Sequence, residues 1–205
     1  MAQEERPRSL AAIDRAIHAC RRCPIGELDN VAVMGEGPRH APLMVVGEQP
    51  GDQEDRQGHP FVGPAGRVLD TYLERAGIDR SRVYVTNAVK HFKYVPRGKR
   101  RLHQKPNSSE IDICRWWLES EMEVLRPKLV LALGASAARS LLGRQVSISK
   151  ARGCPHPLAG GGELWVTAHP SYLLRLRDAK KEAEERLFAA DLAAVAEKLA
   201  QLAPT

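Results

Sequence analysis

Four short apolar runs, each passing into a polar or glycine-bearing segment, restrict this chain more than any other feature. They are Leu43-Met44-Val45-Val46, Val83-Tyr84-Val85, Leu129-Val130-Leu131-Ala132-Leu133 and Leu164-Trp165-Val166-Thr167. Because consecutive rather than alternate positions are apolar, they read as strands buried on both faces. Stretches of helical period lie around them. Leu10, Ile13 and Ile17 mark a first helix, and Val68, Leu69, Tyr72, Leu73 and Ala76 mark another that stops at Gly77. Ser109 with Asp112 predicts a capping box for a helix running to about Leu125, ahead of Pro127. Gly134 to Leu142 reads as a crossover helix, and Phe188, Leu192, Val195, Leu199 and Leu202 stripe a last helix that covers the sheet. This alternation predicts an α/β fold: three αβα layers around a mostly parallel, four-stranded sheet.

In such folds ligands bind beyond the carboxyl ends of the strands. Gly47-Glu48-Gln49-Pro50-Gly51, Thr86-Asn87 and His169-Pro170-Ser171 each follow a strand, so three polar segments converge on one sheet edge. The first is not a nucleotide-triphosphate loop, because no GK[ST] follows it.

At 205 residues the chain is expected to form a single domain, residues 1–205, without internal repeats. Its 43% hydrophobic and 27% charged residues fit a globular protein. No apolar run approaches the length needed to cross a bilayer, and Met1–Leu10 lack the apolar core of a secretory signal, so the expected location is cytoplasmic and the expected state monomeric. The net charge is +6, but Lys90, Lys93, Arg97, Lys99, Arg100, Arg101 and Lys105 lie within residues 90–109, which hold no Asp or Glu. The rest of the chain is therefore slightly acidic. A basic loop this concentrated reads either as a phosphate contact or as a solvated surface segment.

Four cysteines are present, Cys20, Cys23, Cys114 and Cys154. Cys20-Arg21-Arg22-Cys23 is a C-x-x-C pair that can hold one side of a zinc ion or an iron–sulfur cluster. A redox dithiol normally opens a helix after a strand, whereas this pair follows a helix, which favours a metal. A simple count makes all four cysteines the ligand set.

Taken together, the GEQPG loop, the segment Gly58-His59-Pro60-Phe61-Val62-Gly63-Pro64-Ala65-Gly66, Asn87 and His169-Pro170-Ser171 resemble the uracil-DNA glycosylase superfamily. The C-x-x-C pair and the TN-x-V-K segment resemble its iron–sulfur branch, the family 4 enzymes. Lys99-Arg100-Arg101-Leu102-His103, with Gln49 at the third place of GEQPG, resembles the UdgX subfamily, whose members become covalently linked to the DNA from which they excise uracil. Leu102 stands where that subfamily often has Ile. The resemblance spans about Cys20 to Ser171 and implies a uracil-DNA glycosylase-like fold, a hydrolase role in base-excision DNA repair, and uracil-containing DNA, single-stranded by preference, as partner.

The resemblance also assigns roles. Phe61 would stack on a flipped uracil, while Asn87 pairs with O4 and N3–H through its amide. Gly47, Ser171 and backbone groups at Gln49 would complete the pocket. His169 would donate to uracil O2 as negative charge develops there. Glu48 would stabilise the positive sugar or act as a base, and could also orient His103 and take its proton. His103 would attack C1′, leaving an adduct with no easy leaving step. Lys99, Arg100 and Arg101 would hold phosphates. Related enzymes carry a Cys directly after TN-x-V-K, where this chain has His91, so the implied [4Fe–4S] ligands are Cys20, Cys23, His91 and Cys114, with Cys154 a free thiol. Zinc is the other metal such residues can hold. His18, His40, His59 and His156 receive no role, and Trp116 and Trp117 read as helix packing.

Three other functions fit parts of this pattern: a conventional multiple-turnover iron–sulfur glycosylase, a uracil-DNA binding module without catalysis, and a redox or metal-carrier protein.

Overall fold

The structure, a computed structural model, describes residues 5–202. In chain order it contains helix α1 (Leu10–Ile17), strand β1 (Leu43–Gly47), helices α2 (Asp52–Gln57) and α3 (Pro64–Arg75), and strands β2 (Val83–Asn87), β3 (Tyr94–Arg97) and β4 (Arg100–His103). Helix α4 (Ser108–Leu125), strand β5 (Leu129–Leu133), helices α5 (Ala135–Leu142) and α6 (Ile148–Ala151), strands β6 (His156–Pro157) and β7 (Glu163–Thr167), and helices α7 (Pro170–Arg175) and α8 (Asp178–Leu202) follow. Among the described residues no helix is long and apolar enough to cross a membrane.

The main sheet has the order β2-β1-β5-β7-β6. All four apolar runs are in it and pair in parallel. The expected four strands become five through β6, an antiparallel edge pairing of only two residues. Two residues have no readable period, and Pro157 is tolerated there because it lies at an edge. Successive residues face opposite layers. Leu43, Val45, Leu129 and Leu131 pack under Leu69 and Leu73 of α3, Leu173 of α7, and Phe188 and Leu192 of α8. Met44, Val46, Val130 and Ala132 pack under Leu118 of α4, Ala137 and Ala138 of α5, and Ala151 of α6. That is the αβα sandwich.

The chain leaves β1 for β2 on one side and returns to β5 on the other. The switch point therefore lies beyond the carboxyl ends of β1 and β5, at Glu48 and Gly134. A separate apolar cluster ties Ile13 and Ile17 of α1 to Ile25, Val89, Ile111 and Trp117, with Cys20, Cys23 and Cys114 among them.

Two local expectations change. The basic segment is not a loop: β3 and β4 form an antiparallel ribbon with Tyr94 opposite His103, turning at Gly98 with φ +58°. Its charged, largely exposed residues lack the alternation by which a half-buried strand is read. The cap of α4 is Asn107, not Ser109. Asn107 Oδ1 accepts from Glu110 N at 2.9 Å, and Glu110 Oε2 accepts from Asn107 N at 2.7 Å. Either box satisfies the same sequence rule two residues apart, and Asn107 is the one whose backbone is extended.

Candidate active site

Gly47 and Asn87 end β1 and β2 side by side in register. A Cβ on Gly47 would lie 2.4 Å from Asn87 Oδ1 and 2.7 Å from Phe61 Cζ. The Asn87 amide and the Phe61 ring thus converge over a bare backbone. Phe61 is held in the left-handed region at φ +59°, a strained conformation for an aromatic residue. Its carbonyl sits so close to Gly66 that a Cβ there would be 1.7 Å away. What holds this segment is Glu54, which the sequence reading missed. Its buried carboxylate accepts from Gly63 N at 2.7 Å and from Gly51 N at 3.1 Å, joining the GEQPG loop to the Phe61 segment. The available signal was a Glu three residues after an N-capping Gly.

Glu48 stands at the switch point. One carboxylate oxygen accepts from Ser136 Oγ in the first turn of α5, and the other, Oε1, lies 3.6 Å from His103 Nε2. Ser136 was also unforeseen, because a small residue at a helix start carries no signal. Burial lowers the His103 pKa and Arg175 lowers it further, while the Glu48 carboxylate and a backbone hydrogen bond oppose the shift.

His169 has a defined tautomer. Ser171 N donates to its Nδ1 at 3.2 Å, so Nδ1 is an acceptor and the ring proton sits on Nε2. Ser171 Oγ is also 2.9 Å from Nδ1 and accepts from Arg175 at 3.1 Å, which leaves its own proton for the ring. Burial, then the charges of Arg175 and His103, push the His169 pKa down to about 4. The ring is therefore neutral at pH 7 and carries one N–H to donate.

The ribbon is bound to the segment after β1 and to α2 by side chains. Gln49 was expected to contribute backbone groups, yet its buried amide reaches across: Nε2 donates to Gln104 O at 3.0 Å, and Oε1 accepts from Lys93 N at 3.1 Å. One amide thereby grips the residue just before β3 and the residue just after β4, next to His103. Arg101 is likewise turned inward. Its Nε donates to Asp52 Oδ1 at 2.6 Å and its Nη1 to Asp55 Oδ2 at 2.5 Å. It anchors the ribbon to α2 and is not the exposed phosphate contact expected of it. Lys99 and Arg100 do lie exposed at the turn.

Cys20, Cys23, His91 and Cys114 are all buried, and the three thiols share the apolar cluster around α1. Trp117 Nε1 donates to Cys20 Sγ at 3.2 Å, and Lys90 N donates to Cys114 Sγ at 3.3 Å, the kind of contact that thiolate sulfur accepts. Burial and Arg21 bring the His91 pKa down to about 4, so its ring is neutral as a ligand must be. No three His, Cys, Asp or Glu among the described residues already form a metal-holding group. The donor chemistry nonetheless fits a soft, thiolate-bound cluster. Cys154 does not fit: it is exposed, beside His156 and the Ala151 carbonyl.

Fold and site together define an αβα protein that gathers an amide and an aromatic ring at the ends of its first two strands, with a carboxylate, two imidazoles and a cationic ribbon beside them. Residues 34–193 match the uracil DNA glycosylase superfamily, and the chain belongs to that superfamily. It is 37% identical over 166 residues to a Type-4 uracil-DNA glycosylase of Thermotoga maritima, covering 80% of this chain and 83% of the relative. A Type-4 uracil-DNA glycosylase of Pyrobaculum aerophilum is 36% identical over 173 residues, 81% of this chain and 85% of the relative. A Type-4 uracil-DNA glycosylase of Sulfurisphaera tokodaii is 34% identical over 150 residues, 71% of this chain and 65% of the relative.

Proposed function

We propose that this protein is a uracil-DNA glycosylase acting in DNA repair, and that it becomes covalently linked through His103 to C1′ of the sugar from which it cuts uracil, as in the UdgX subfamily. The reading takes residues 1–205 as one monomeric, cytoplasmic domain acting on uracil-containing DNA, with single strands favoured because flipping the base is cheapest there. The observation that carries it is the 3.6 Å separation between His103 Nε2 and Glu48 Oε1, on a ribbon clasped by Gln49.

In this mechanism uracil enters the slot over Gly47, stacks on Phe61 and pairs with Asn87. The C1′–N1 electron pair leaves with the base, and His169 Nε2–H donates to uracil O2 where that charge collects. Glu48 faces the positive sugar. The lone pair of neutral His103 Nε2 then forms the new bond to C1′, and the proton released from the resulting imidazolium passes through solvent to the uracil anion. In this reading the imidazole, and not water, is the nucleophile held next to C1′ when the base leaves. Lys99 and Arg100 supply phosphate contacts.

Cys20, Cys23, His91 and Cys114 are the residues we assign to a [4Fe–4S] cluster. When bound, it supplies a cross-link between the segment after α1 and both ends of the basic ribbon. A His ligand among cysteines on iron has precedent in Rieske centres.

The likeness to Type-4 enzymes favours a second reading, a conventional glycosylase with water as nucleophile. Incubation with a uracil-containing single strand, followed by denaturing electrophoresis, separates the two. A denaturant-stable band of higher mass that vanishes in His103→Ser supports self-linkage. Repeated release of abasic DNA without that band supports the conventional enzyme, and tight binding with the glycosidic bond intact overturns both.

A further inference from the structure

We infer that Phe92 is a positioning residue for His103: the stack His103–Phe92–Tyr94, closed by Arg101, aims the imidazole and thereby decides whether the sugar is captured or left to water. The inference rests on the self-linking reading of His103 proposed above and adds residues that no comparison assigns.

A two-stranded ribbon is marginal in isolation. The His103 side chain is also 51% exposed, and its separation from Glu48 exceeds hydrogen-bond length, so neither the strand nor the ion contact defines the ring's orientation. Phe92 can. It is 1% exposed, anchored in the body of the protein just before β3, and its ring centroid lies 6.1 Å from that of His103 at 42°. On Phe92 stacks Tyr94, at 5.3 Å and 27°, the residue directly opposite His103 in the ribbon. The Arg101 guanidinium covers both rings, 5.3 Å from Phe92 and 5.0 Å from Tyr94, while Asp52 and Asp55 hold its other donors. Tyr94 Oη donates to Asp29 O at 3.0 Å.

The face of the ribbon that carries the proposed nucleophile is thus packed from the core outward by ring on ring and cation on ring. Such contacts are individually modest, but they restrict rotation of the imidazole without taking its nitrogen lone pair. Capture requires that lone pair on the C1′ trajectory at the moment the base departs. Departure itself depends on Glu48, His169 and Asn87, none of which is a member of the stack, although Glu48 lies 3.6 Å from the imidazole that the stack aims.

The test compares wild type, Phe92→Leu, Tyr94→Leu and Tyr94→Phe in single turnover on a uracil-containing single strand, reading the ratio of covalent adduct to abasic product. Both leucine variants should lower that ratio by about 10-fold, as expected for a misaimed reacting group. Tyr94→Phe, which keeps the ring, should hold the wild-type ratio. A merely structural role would reduce both products together and leave the ratio unmoved. Should Phe92→Leu fail to fold, Tyr94→Leu decides alone, because Tyr94 is only half-buried. Wild-type adduct with an unchanged ratio in the leucine variants overturns this inference and spares the role of His103. Wild-type release of uracil with no adduct overturns that role and this inference with it.

Discussion

Lys90 donates to the Glu121 carboxylate at 2.6 Å with both side chains wholly removed from solvent. Around the pair, Thr86 Oγ1 accepts from Lys90 at 2.6 Å and donates to Glu121 at 2.9 Å, and Gly35 N donates to Glu121 at 3.2 Å. Thr86 precedes Asn87, and Lys90 precedes His91 while its own N–H meets Cys114. One buried network therefore underlies both the strand end that carries Asn87 and the thiol cluster. A buried pair is strongly destabilising when only one partner is removed, because the other charge stays behind. Glu121→Ala should lower stability by about 3–5 kcal/mol, read as a reduced urea midpoint, with Glu121→Gln affected less because it retains the hydrogen-bonding shape.

His169 sets a pH dependence whose sign follows from its depressed pKa. Burial holds it near 4 in the fold, against 6.5 for the free side chain. The unfolded chain therefore binds the extra proton first as pH falls. The contribution of the neutral ring to stability is complete above about pH 6.5 and declines as pH falls toward about 4. Protonation at Nδ1 keeps the Nε2–H but breaks the hydrogen bond from Ser171 N, so uracil excision should hold its His169-dependent part across that window and lose the ring's alignment only below about pH 4. His169→Ala, which removes the Nε2–H donor, should slow single-turnover excision by about 10²–10³-fold.

Salt dependence separates the three arginine and lysine positions of the ribbon. Lys99 and Arg100 are exposed, whereas Arg101 is held by two carboxylates. Lys99→Ala and Arg100→Ala should each reduce the slope of log K against log salt by about 0.7 for a single strand carrying a non-cleavable uracil analogue. Arg101→Ala should leave the slope intact and lower the thermal midpoint instead, because it strands the buried Asp55 carboxylate.

The thiols divide in the same way by environment. Cys20 and Cys114 are buried beside N–H donors, and Cys154 is exposed on the other side of α5 in sequence, after α6. Cys20→Ser and Cys114→Ser should lose bound iron and visible colour. Cys154→Ser should keep both, and His91→Cys should keep iron with a shifted reduction potential, since thiolate replaces a neutral ligand. Iron content by elemental analysis checks the losses and retentions, and a redox titration checks the potential of His91→Cys.

How much of this was legible depended on where the information resides. Leu43–Val46 and Leu129–Leu133 announce buried parallel strands because every side chain meets a core layer, and the residues just after them reach the sheet edge by topology alone. That exposes Glu48, Asn87 and His169 to a sequence reading. The ribbon 94–103 escapes it, since its strands are held by Gln49, Phe92 and Arg101 from outside rather than by their own pattern. Arg101 reads as one more cation until Asp52 and Asp55, about fifty positions earlier, fold against it. Glu54, Ser136 and the Lys90–Glu121 pair are silent for the same reason: their partners are assigned only by tertiary structure.

Gly47 offers the sharpest test of the slot, because its importance lies in an atom it lacks. The added methyl of Gly47→Ala would meet Asn87 Oδ1 at 2.4 Å and the Phe61 ring at 2.7 Å, so one of the two must move. Phe61 has little freedom, given its left-handed backbone and the Gly66 contact behind its carbonyl. The displaced group should therefore be the Asn87 amide, the group proposed above to pair with O4 and N3–H of the base. Gly47 sits at the end of a strand whose pairing uses only backbone atoms, so the sheet should remain intact. Gly47→Ala should accordingly cut uracil excision by about 10²-fold with a near-native melting transition. Loss of excision together with loss of folding would assign Gly47 to packing alone, and full activity would show that the base does not occupy this slot.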